Sequence, residues 1–173
     1  MIFFFFCRLT LAALGLSVLP LSAQTPFQFP TANHALYEIG GEAKFLAPTS
    51  PDRPASTGGF GCVRTDGWQM HEGIDILRLK TDKRGEPTDP VLATADGTVQ
   101  KALFNGSYGN YVLIDHGNGY STAFSHMKKY VVRRNEKIHR GQLIGFVGNS
   151  GRSTGPHLHY EVTLDNDPID PYT

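Results

Sequence analysis

Residues 111–126 read YVLIDHGNGYSTAFSH, and they carry the clearest folding signal in the chain. Two runs rich in β-branched and aromatic residues, Tyr111–Asp115 and Tyr120–His126, flank the turn sequence HGNG at residues 116–119. The Asn-Gly pair readily adopts the positive φ values that a tight turn between two strands requires. This stretch therefore predicts a β-hairpin.

Strand signals continue on both sides of the hairpin. From Gly73 onward, short apolar runs alternate with turn residues at a spacing typical of strands. The other predicted strands are Val91–Thr94, Thr98–Leu103, Leu143–Val147 and Leu158–Thr163. No long stretch after the first 23 residues has helical periodicity. The sequence therefore predicts an all-β fold, a compact antiparallel β-sheet or sandwich.

Length and composition indicate one globular domain, which we place at residues 47–171. The chain has 173 residues, of which 40% are hydrophobic, enough for a single core. Lys and Arg together number 16, as do Asp and Glu, so no net charge attracts nucleic acid or anionic lipid. The basic residues clustered in residues 128–140 alternate with apolar ones, which favours a solvated turn region over a binding patch. We expect a monomer with no nucleic-acid partner.

The first 23 residues are typical of a cleaved signal peptide. The apolar run Leu9–Leu19 is interrupted by Pro20, and Leu21–Ala23 ends in the small residue that signal peptidase prefers. A retained membrane anchor is the alternative, but the run is shorter than the roughly 20 apolar residues that span a bilayer. We predict export to a periplasm or the extracellular space, with no membrane association after cleavage near Ala23.

Cysteine content excludes an internal disulfide in the mature chain. Because Cys7 belongs to the predicted signal peptide, only Cys62 remains. We expect Cys62 to be a small buried apolar side chain beside Phe60, and not a reactive thiol.

Two histidines on one predicted strand give the strongest chemical signal. His157 and His159 are two residues apart, so a strand points both imidazoles to one face and Leu158 to the other. The preceding residues 148–156 contain three glycines and a proline, which suits tight backbone at the edge of a groove. Glu161 shares the histidine face. It is either a carboxylate that fixes the orientation of one ring or a solvated side chain.

His71 and Asp75 form a second pair, and their spacing of four places both side chains on one face of an extended segment. Taken alone, this spacing arises easily by chance. With one of the paired histidines, it gives two imidazoles and a carboxylate, which leave a zinc ion an open fourth position, as in catalytic sites. Zinc would activate a water, and amide hydrolysis also needs groups that accept and donate protons. The remaining paired histidine and His126 are candidates for that work.

The ordered set of these motifs resembles the lysostaphin/LytM-type zinc metallopeptidase family. The matching segments are residues 61–76 with His71-x-x-x-Asp75, residues 108–111, 115–120 and 141–145, and residues 151–161 with His157-Leu158-His159. The resemblance covers nearly all of residues 45–171. It implies a compact antiparallel β fold, the duplicated hybrid motif, with a zinc-containing groove.

The resemblance also implies a set of site residues. The zinc ligands fall on His71, Asp75 and His159, with one Zn²⁺ ion per chain, and the catalytic histidines fall on His126 and His157. The implied activity is zinc-dependent endopeptidase cleavage of the peptide cross-links of bacterial peptidoglycan, whose stem peptides would be the binding partners. His34, His116 and His139 match nothing catalytic, and we expect them to be surface or turn residues.

Three departures from the family pattern stand out. Residues 124–127 read FSHM where the family usually has Tyr-x-His-Leu, a conservative change. Lys80–Glu86 resembles an insertion beside the groove. Some members use a tyrosine upstream of the first ligand to stabilise the oxyanion, but residues 60–70 offer only Trp68 and Arg64. No departure removes a ligand.

Two other functions are compatible with the resemblance. Some relatives have lost their ligands and activate separate cell-wall amidases without catalysis, but the complete set of five metal and catalytic residues argues against this here. The other alternative is a secreted protease that acts on glycine-rich proteins or on rival bacteria.

Residues 24–46 form a lead-in that the resemblance does not explain. Tyr37 and Ile39 alternate as apolar residues, which suits an added edge strand or a simple linker. The alternative is a segment that covers the zinc groove, with Asn33 or His34 near the metal. We favour the strand or linker, because ordinary packing explains the apolar alternation.

Overall fold

A computed structural model of the chain describes residues 27–50, 52–64 and 69–172. The predicted signal peptide, residues 1–23, and Trp68 lie outside the described residues, so both remain sequence-based predictions. Within the described ranges, no helix is both long enough and apolar enough to span a bilayer.

Strands dominate the described residues. The strands are β1 (Gly61–Arg64), β2 (Gln69–His71), β3 (Ile74–Leu77), β4 (Pro90–Leu92), β5 (Gly97–Asn105), β6 (Gly109–Gly117), β7 (Tyr120–Met127), β8 (Lys129–Tyr130), β9 (Lys137–Ile138), β10 (Leu143–Phe146), β11 (His157–Leu164) and β12 (Asp167–Ile169). A one-turn helix α1 spans Glu42–Phe45, and 3₁₀ turns span Ala35–Tyr37, Ala55–Gly58 and Gly106–Tyr108.

The main sheet has seven strands, and all its pairings are antiparallel. Its order is β12-β11-β7-β6-β5-β9, and β3 pairs with the first half of β11. Strands β4, β10 and β8 form a smaller antiparallel sheet, and β1 and β2 form a two-stranded ribbon. The predicted all-β antiparallel fold is confirmed.

The predicted hairpin is β6–β7, the centre of the main sheet. Asn118 and Gly119 have φ values of 52° and 82°, as expected for the Asn-Gly turn. Both strands extend beyond the predicted runs, to Gly109 and to Met127. The predicted strands around residues 98–103, 143–147 and 158–163 are confirmed as β5, β10 and β11, and β4 is shorter than predicted.

One hydrophobic core joins the two larger sheets. Val91 and Ile144 from the smaller sheet belong to the same buried cluster as Ile114 and Phe124 from the main sheet. Leu158 of β11 is fully buried in this cluster, which is worth about 1.5–3 kcal/mol for a side chain of its size. Since alternate residues of a strand face opposite sides, this burial directs the intervening side chains of β11 to the other face of the sheet.

Two surface expectations had opposite outcomes. The basic residues within residues 128–140 are exposed, whereas Val132 and Ile138 between them are buried, so the solvated turn region is confirmed. The expectation for Cys62 is wrong, because its thiol is exposed. Cys62 lies in β1, in the ribbon outside the main sheet, and its neighbours Gly61 and Val63 are only partly buried.

The lead-in packs against the smaller sheet and does not add a strand to it. The backbone N–H of Gln28 donates to the carbonyl of Thr94 (3.0 Å), and the N–H of Leu92 donates to the carbonyl of Pro30 (2.8 Å). The described lead-in forms a 3₁₀ turn, α1 and a single antiparallel bridge between Leu46 and Ile76 of β3, and Ile39 is fully exposed. The favoured interpretation is an edge strand or a simple linker: the edge strand is wrong, whereas the linker agrees with the structure, and Ile39 has no role in packing.

The alternative for the lead-in, a cover over the groove, is not supported either. Asn33 is 1% exposed, and its amide donates to the carbonyls of Lys44 (3.1 Å) and Leu77 (3.0 Å). The ring of His34 lies against Phe29, with centroids 5.1 Å apart. Asn33 is an internal anchor that connects the lead-in to the end of β3.

We expect Asn33→Ala to lower the free energy of unfolding by about 1–3 kcal/mol, because two backbone carbonyls lose their donor. Urea unfolding of the two proteins measures this difference. Asn105→Ala is the matched control, since Asn105 is exposed and its side chain makes no capping hydrogen bond. Equal losses in both variants would contradict the anchoring role.

Candidate metal centre

His71, Asp75 and His159 converge on one point beside β11. Each offers a ligand atom, and these atoms lie within 4.8 Å of one another. His71 is the last residue of β2, Asp75 lies in β3, and the register of β3 with β11 places His159 opposite Asp75. The three residues are nearly inaccessible, with exposed fractions of 3, 4 and 7%. The three residues predicted as ligands therefore form one buried cluster.

Hydrogen bonds on the outer side of each ring determine which nitrogen faces the centre. The Nδ1–H of His71 donates to the carbonyl of Gly59 (2.6 Å), so its Nε2 is unprotonated and accepts a hydrogen bond from Arg64 Nη2 (2.8 Å). The Nε2–H of His159 donates to Glu161 Oε1 (2.7 Å), so its Nδ1 faces inward. Asp75 Oδ1 lies 2.8 Å from that Nδ1 and 3.3 Å from His71 Nε2. The three candidate ligand atoms are thus His71 Nε2, Asp75 Oδ1 and His159 Nδ1.

The cluster already has the charge that a cation needs. Burial alone would raise the pKa of Asp75, but the hydrogen bond from His159 and the neighbouring His71 ring outweigh it and lower that pKa well below its usual range. Burial would lower the pKa of His159, but its hydrogen bonds with Asp75 and Glu161 outweigh it and raise that pKa to about 9. Asp75 is therefore ionised, and the proton on His159 Nδ1 is the one that a metal ion must displace.

Of the two alternatives for Glu161, the structure supports the carboxylate that orients the ring of a histidine. Its side chain is buried on the same face as His157 and His159, and it accepts the hydrogen bond from His159 Nε2. Tyr108 lies on the other side of Glu161, and burial together with the charge of Glu161 raises the pKa of its phenol. Glu161 is thus enclosed, and the solvated alternative is wrong.

We expect Glu161→Gln to lower metal affinity by about 10–100-fold, because the ring of His159 loses its charged acceptor while keeping a similar shape around it. Competition with a chromophoric chelator measures the change. Asp165→Asn is the control, since Asp165 is an exposed acid beyond the end of the same strand. An unchanged affinity for Glu161→Gln would leave Glu161 without a role in metal binding.

His157 and His126 lie side by side next to the three ligands, with ring centroids 4.8 Å apart. The Nδ1–H of His157 donates to the carbonyl of Gly155 (2.7 Å), and its Nε2 is 3.5 Å from Asp75 Oδ1. The Nδ1–H of His126 donates to the carbonyl of Ser150 (2.9 Å). Both rings therefore keep the Nε2 lone pair free.

His126 reaches the groove through a break in strand geometry. Ser125 lies opposite His159, so it shares the face of the metal cluster, and regular alternation would send His126 to the opposite face. Instead, His126 has a positive φ of 59°, and the pairing of β7 with β6 shifts register at this point. A bulge of this kind redirects a side chain and is common beside active sites. The motif locates His126 in the sequence, but it does not reveal this bulge.

The two histidines are neutral at physiological pH. Burial lowers the pKa of His126 to about 4, assisted by the nearby His157 ring. Burial also lowers the pKa of His157, although the negative charge of Asp75 opposes this shift. A neutral imidazole with a free lone pair can accept a proton, as a general base must.

Among the other histidines, His34 and His139 are exposed, as expected. The expectation for His116 is only partly right, because it lies within β6 and is half-buried. Its Nδ1–H donates to the carbonyl of Asp96 (2.7 Å), and the hydroxyl of Thr122 lies 2.7 Å from its Nε2. His116 is thus a structural residue that ties the hairpin to the turn before β5.

The donor set fits a catalytic metal. Two imidazole nitrogens and one carboxylate oxygen are the ligands of zinc hydrolases, which leave a fourth position for water or substrate. Structural zinc sites are usually closed by four protein ligands, but His/Cys/Asp/Glu clusters in the described residues supply only these three. The fold and the site together define the class of metal-dependent hydrolases. The chain belongs to peptidase family M23, which matches residues 69–171.

Similar proteins agree with this assignment. The chain is 46% identical over 113 residues to the peptidoglycan DD-endopeptidase ShyA of Vibrio cholerae, a match that covers 59% of this chain and 26% of that protein. The crystal structure of a zinc-containing peptidase from Vibrio cholerae is similar over 75% of this chain and 37% of the other, with 32% identity and a TM-score of 0.60. The catalytic domain of lysostaphin from Staphylococcus simulans is similar over 66% of this chain and 86% of the other, with 28% identity and a TM-score of 0.56.

The predicted resemblance to lysostaphin-type metallopeptidases is therefore confirmed. The chain spans about a quarter of the length of the curated relatives that it matches first, with 25 and 26% of two of them covered.

Proposed function

We propose that this chain is a zinc-dependent endopeptidase that hydrolyses the peptide cross-links of bacterial peptidoglycan. The observation that carries the proposal is the buried convergence of His71, Asp75 and His159 beside two neutral histidines. ShyA, which shares 46% identity over the matched residues, is itself a peptidoglycan DD-endopeptidase. A family M23 domain with all five residues in place argues for catalysis and against the role of a non-catalytic amidase activator.

In this proposal His71, Asp75 and His159 hold one Zn²⁺ ion. When bound, zinc supplies Lewis acidity, which lowers the pKa of a water and polarises a scissile carbonyl. Glu161 keeps the ring of His159 turned towards the centre through its 2.7 Å hydrogen bond. The protein thus provides a site whose ligand orientation is established before the metal arrives.

His126 and His157 move the protons. Their Nδ1–H groups are held by backbone carbonyls, so each Nε2 is free to act towards the groove. One of them accepts a proton from the attacking water, and the protonated ring or its neighbour delivers a proton to the leaving amine. Because both pKa values are lowered, the histidines are in the accepting form before the reaction starts.

A substrate in the cell wall requires export of the chain. The signal-peptide pattern of residues 1–23 supports delivery to a periplasm or to the extracellular space, where the mature chain would act without a membrane anchor. The stem peptides of peptidoglycan would then be the binding partners.

Digestion of purified peptidoglycan tests the function. The protein beginning at Gln24, supplied with zinc, is expected to bind about one zinc ion. It should cut the cross-links of peptidoglycan, so that cross-linked muropeptides are converted into uncross-linked ones. Mass spectrometry then identifies the bond that is cut. A chelator should abolish the release, and added zinc should restore it. A zinc-loaded protein that leaves peptidoglycan intact would refute the proposal, and cleavage of glycine-rich proteins instead would favour the protease alternative.

A further inference from the structure

Arg64 brings a permanent positive charge to the metal centre, although it is no part of the predicted site. It is the last residue of β1, and the pairing of β1 with β2 places it opposite Gln69, two residues before His71. Its Nη2 lies 2.5 Å from Asp75 Oδ2 and 2.8 Å from His71 Nε2. The guanidinium therefore contacts two of the three residues that would hold the metal.

The contacts of Asp75 are divided between its two oxygens. Oδ1 faces the imidazoles, at 2.8 Å from His159 Nδ1 and 3.5 Å from His157 Nε2. Oδ2 accepts from Arg64. Arg64 can therefore keep its bond to Oδ2 while Oδ1 serves as the ligand, but its contact with His71 Nε2 has to open before that nitrogen can bind a metal.

Most of the hydrogen-bonding capacity of Arg64 is unused by these contacts. A guanidinium has five N–H donors and cannot be deprotonated in a protein. The described contacts with Asp75 and His71 use only Nη2, and Nε is buried with no hydrogen-bond partner. A buried donor without a partner is costly, unless a ligand completes its bonding during function. The side chain is 28% exposed, so such a ligand would reach it from the solvent side and not from the core.

We propose that Arg64 is a catalytic residue that binds the oxyanion formed during peptide hydrolysis. This inference rests on the proposed function. In the first step the oxygen of water bonds to the carbonyl carbon, the π electron pair moves to the carbonyl oxygen, and a histidine takes the proton. In the second step the electron pair of the oxyanion re-forms the carbonyl π bond while the C–N bond breaks. The C–N pair goes to nitrogen, which receives the proton from the histidine, and a carboxyl and an amine are released. Arg64 stabilises the negative oxygen that exists between these steps.

The chemistry of the neighbouring segment favours this assignment. Residues 60–70 contain no tyrosine that could donate to the oxyanion, and His126 and His157 are committed to proton transfer. Arg64 is the cationic donor that contacts the ligand cluster in the described part of the chain. The planar, positively charged guanidinium suits an oxygen that is neutral in the substrate and becomes negative in the transition state and the tetrahedral intermediate.

Arg64→Gln tests the proposal, because it removes the charge and keeps a polar side chain. We expect kcat to fall about 10²–10³-fold, the scale of losing one oxyanion donor, while KM changes little. The affinity of the zinc-loaded protein for a phosphinate peptide, a tetrahedral analogue of the intermediate, should fall by a similar factor. Zinc affinity, measured by chelator competition, should stay equal or rise, because a like charge has been removed from beside the cation.

Two further variants make the result specific. Arg64→Lys keeps the positive charge and the aliphatic part of the side chain, so it should retain part of the hydrolysis rate. This variant still tests the proposal if Arg64→Gln folds poorly. Arg64→Ala should be partly rescued by millimolar guanidinium in the assay, an effect that a structural role does not produce. Arg133→Gln, which alters an arginine whose side chain is 93% exposed, is the control and should match the parent protein.

The outcomes separate this inference from the proposed function. If Arg64→Gln and Arg64→Lys hydrolyse peptidoglycan at the parent rate, the oxyanion assignment is wrong and the endopeptidase proposal stands. If zinc affinity falls in step with the rate, Arg64 acts only by positioning Asp75, and the assignment is again overturned. If the parent protein binds zinc without cutting peptidoglycan, the proposed function itself fails.

Discussion

Replacing His159 by alanine is expected to empty the metal site and to reduce hydrolysis of peptidoglycan to the background rate. The change removes one of three ligands and leaves Asp75 and Glu161 buried without the ring that donates to both of them. Asp75→Ala should have the same effect, because it removes the only anionic ligand. Elemental analysis of the purified variants, combined with the digestion assay, measures both losses.

The matched control is His139→Ala, because the His139 side chain is 87% exposed and is not part of the ligand cluster. It should bind zinc and cut peptidoglycan like the parent protein. Circular dichroism and melting temperature establish that the His159→Ala variant is folded. A folded His159→Ala protein that still carries one zinc ion would contradict the ligand assignment. If His157→Ala emptied the site instead, the roles within the pair would be reversed.

The second large effect is expected for the proton-transfer pair. His157→Ala and His126→Asn should retain zinc but slow hydrolysis by about 10²–10⁴-fold, the scale of losing a positioned general base or acid. Asparagine is the better replacement at position 126, because His126 has a φ of 59° and asparagine tolerates the left-handed region better than alanine does. Steady-state kinetics on a cross-linked muropeptide, with zinc content measured on the same samples, test this.

His139→Asn is the control for the substitution at position 126. Loss of zinc from either catalytic variant would show that the residue is a ligand or supports one, and the division of roles would then be wrong. Full activity with zinc retained would exclude that histidine from proton transfer. Phosphinate affinity distinguishes these variants from Arg64→Gln. Loss of the oxyanion donor is expected to weaken binding of the phosphinate analogue, whereas loss of a proton acceptor is not.

Local patterns in the sequence were sufficient to predict much of the architecture. The alternation of apolar residues around Asn118–Gly119 determines the central hairpin, since side-chain period and turn chemistry are both properties of neighbouring residues. The same period of two places His157 and His159 on one face of β11. The motif set of the resemblance named His71 and Asp75, which the structure brings to His159. Each of these signals lies within a short stretch of neighbouring residues.

Packing decided what the sequence left open. Glu161 has the same alternation whether its face is solvated or enclosed, and only the fold shows it buried against His159 and Tyr108. The burial of Cys62 was predicted wrongly because β1 belongs to a ribbon outside the main sheet, which no local pattern reveals. The anchoring of Asn33 to Leu77 likewise joins residues 44 positions apart.

The sequence by itself therefore determined the strand pattern, the turn and the types of residue that carry the chemistry. Only the tertiary structure decided how His126 leaves the regular alternation through a bulge, and how Arg64, from a separate ribbon, comes to share Asp75 with the histidines. The physical reason is that faces and turns depend on neighbouring residues, whereas a charge beside a metal centre depends on contacts between strands that are distant in sequence.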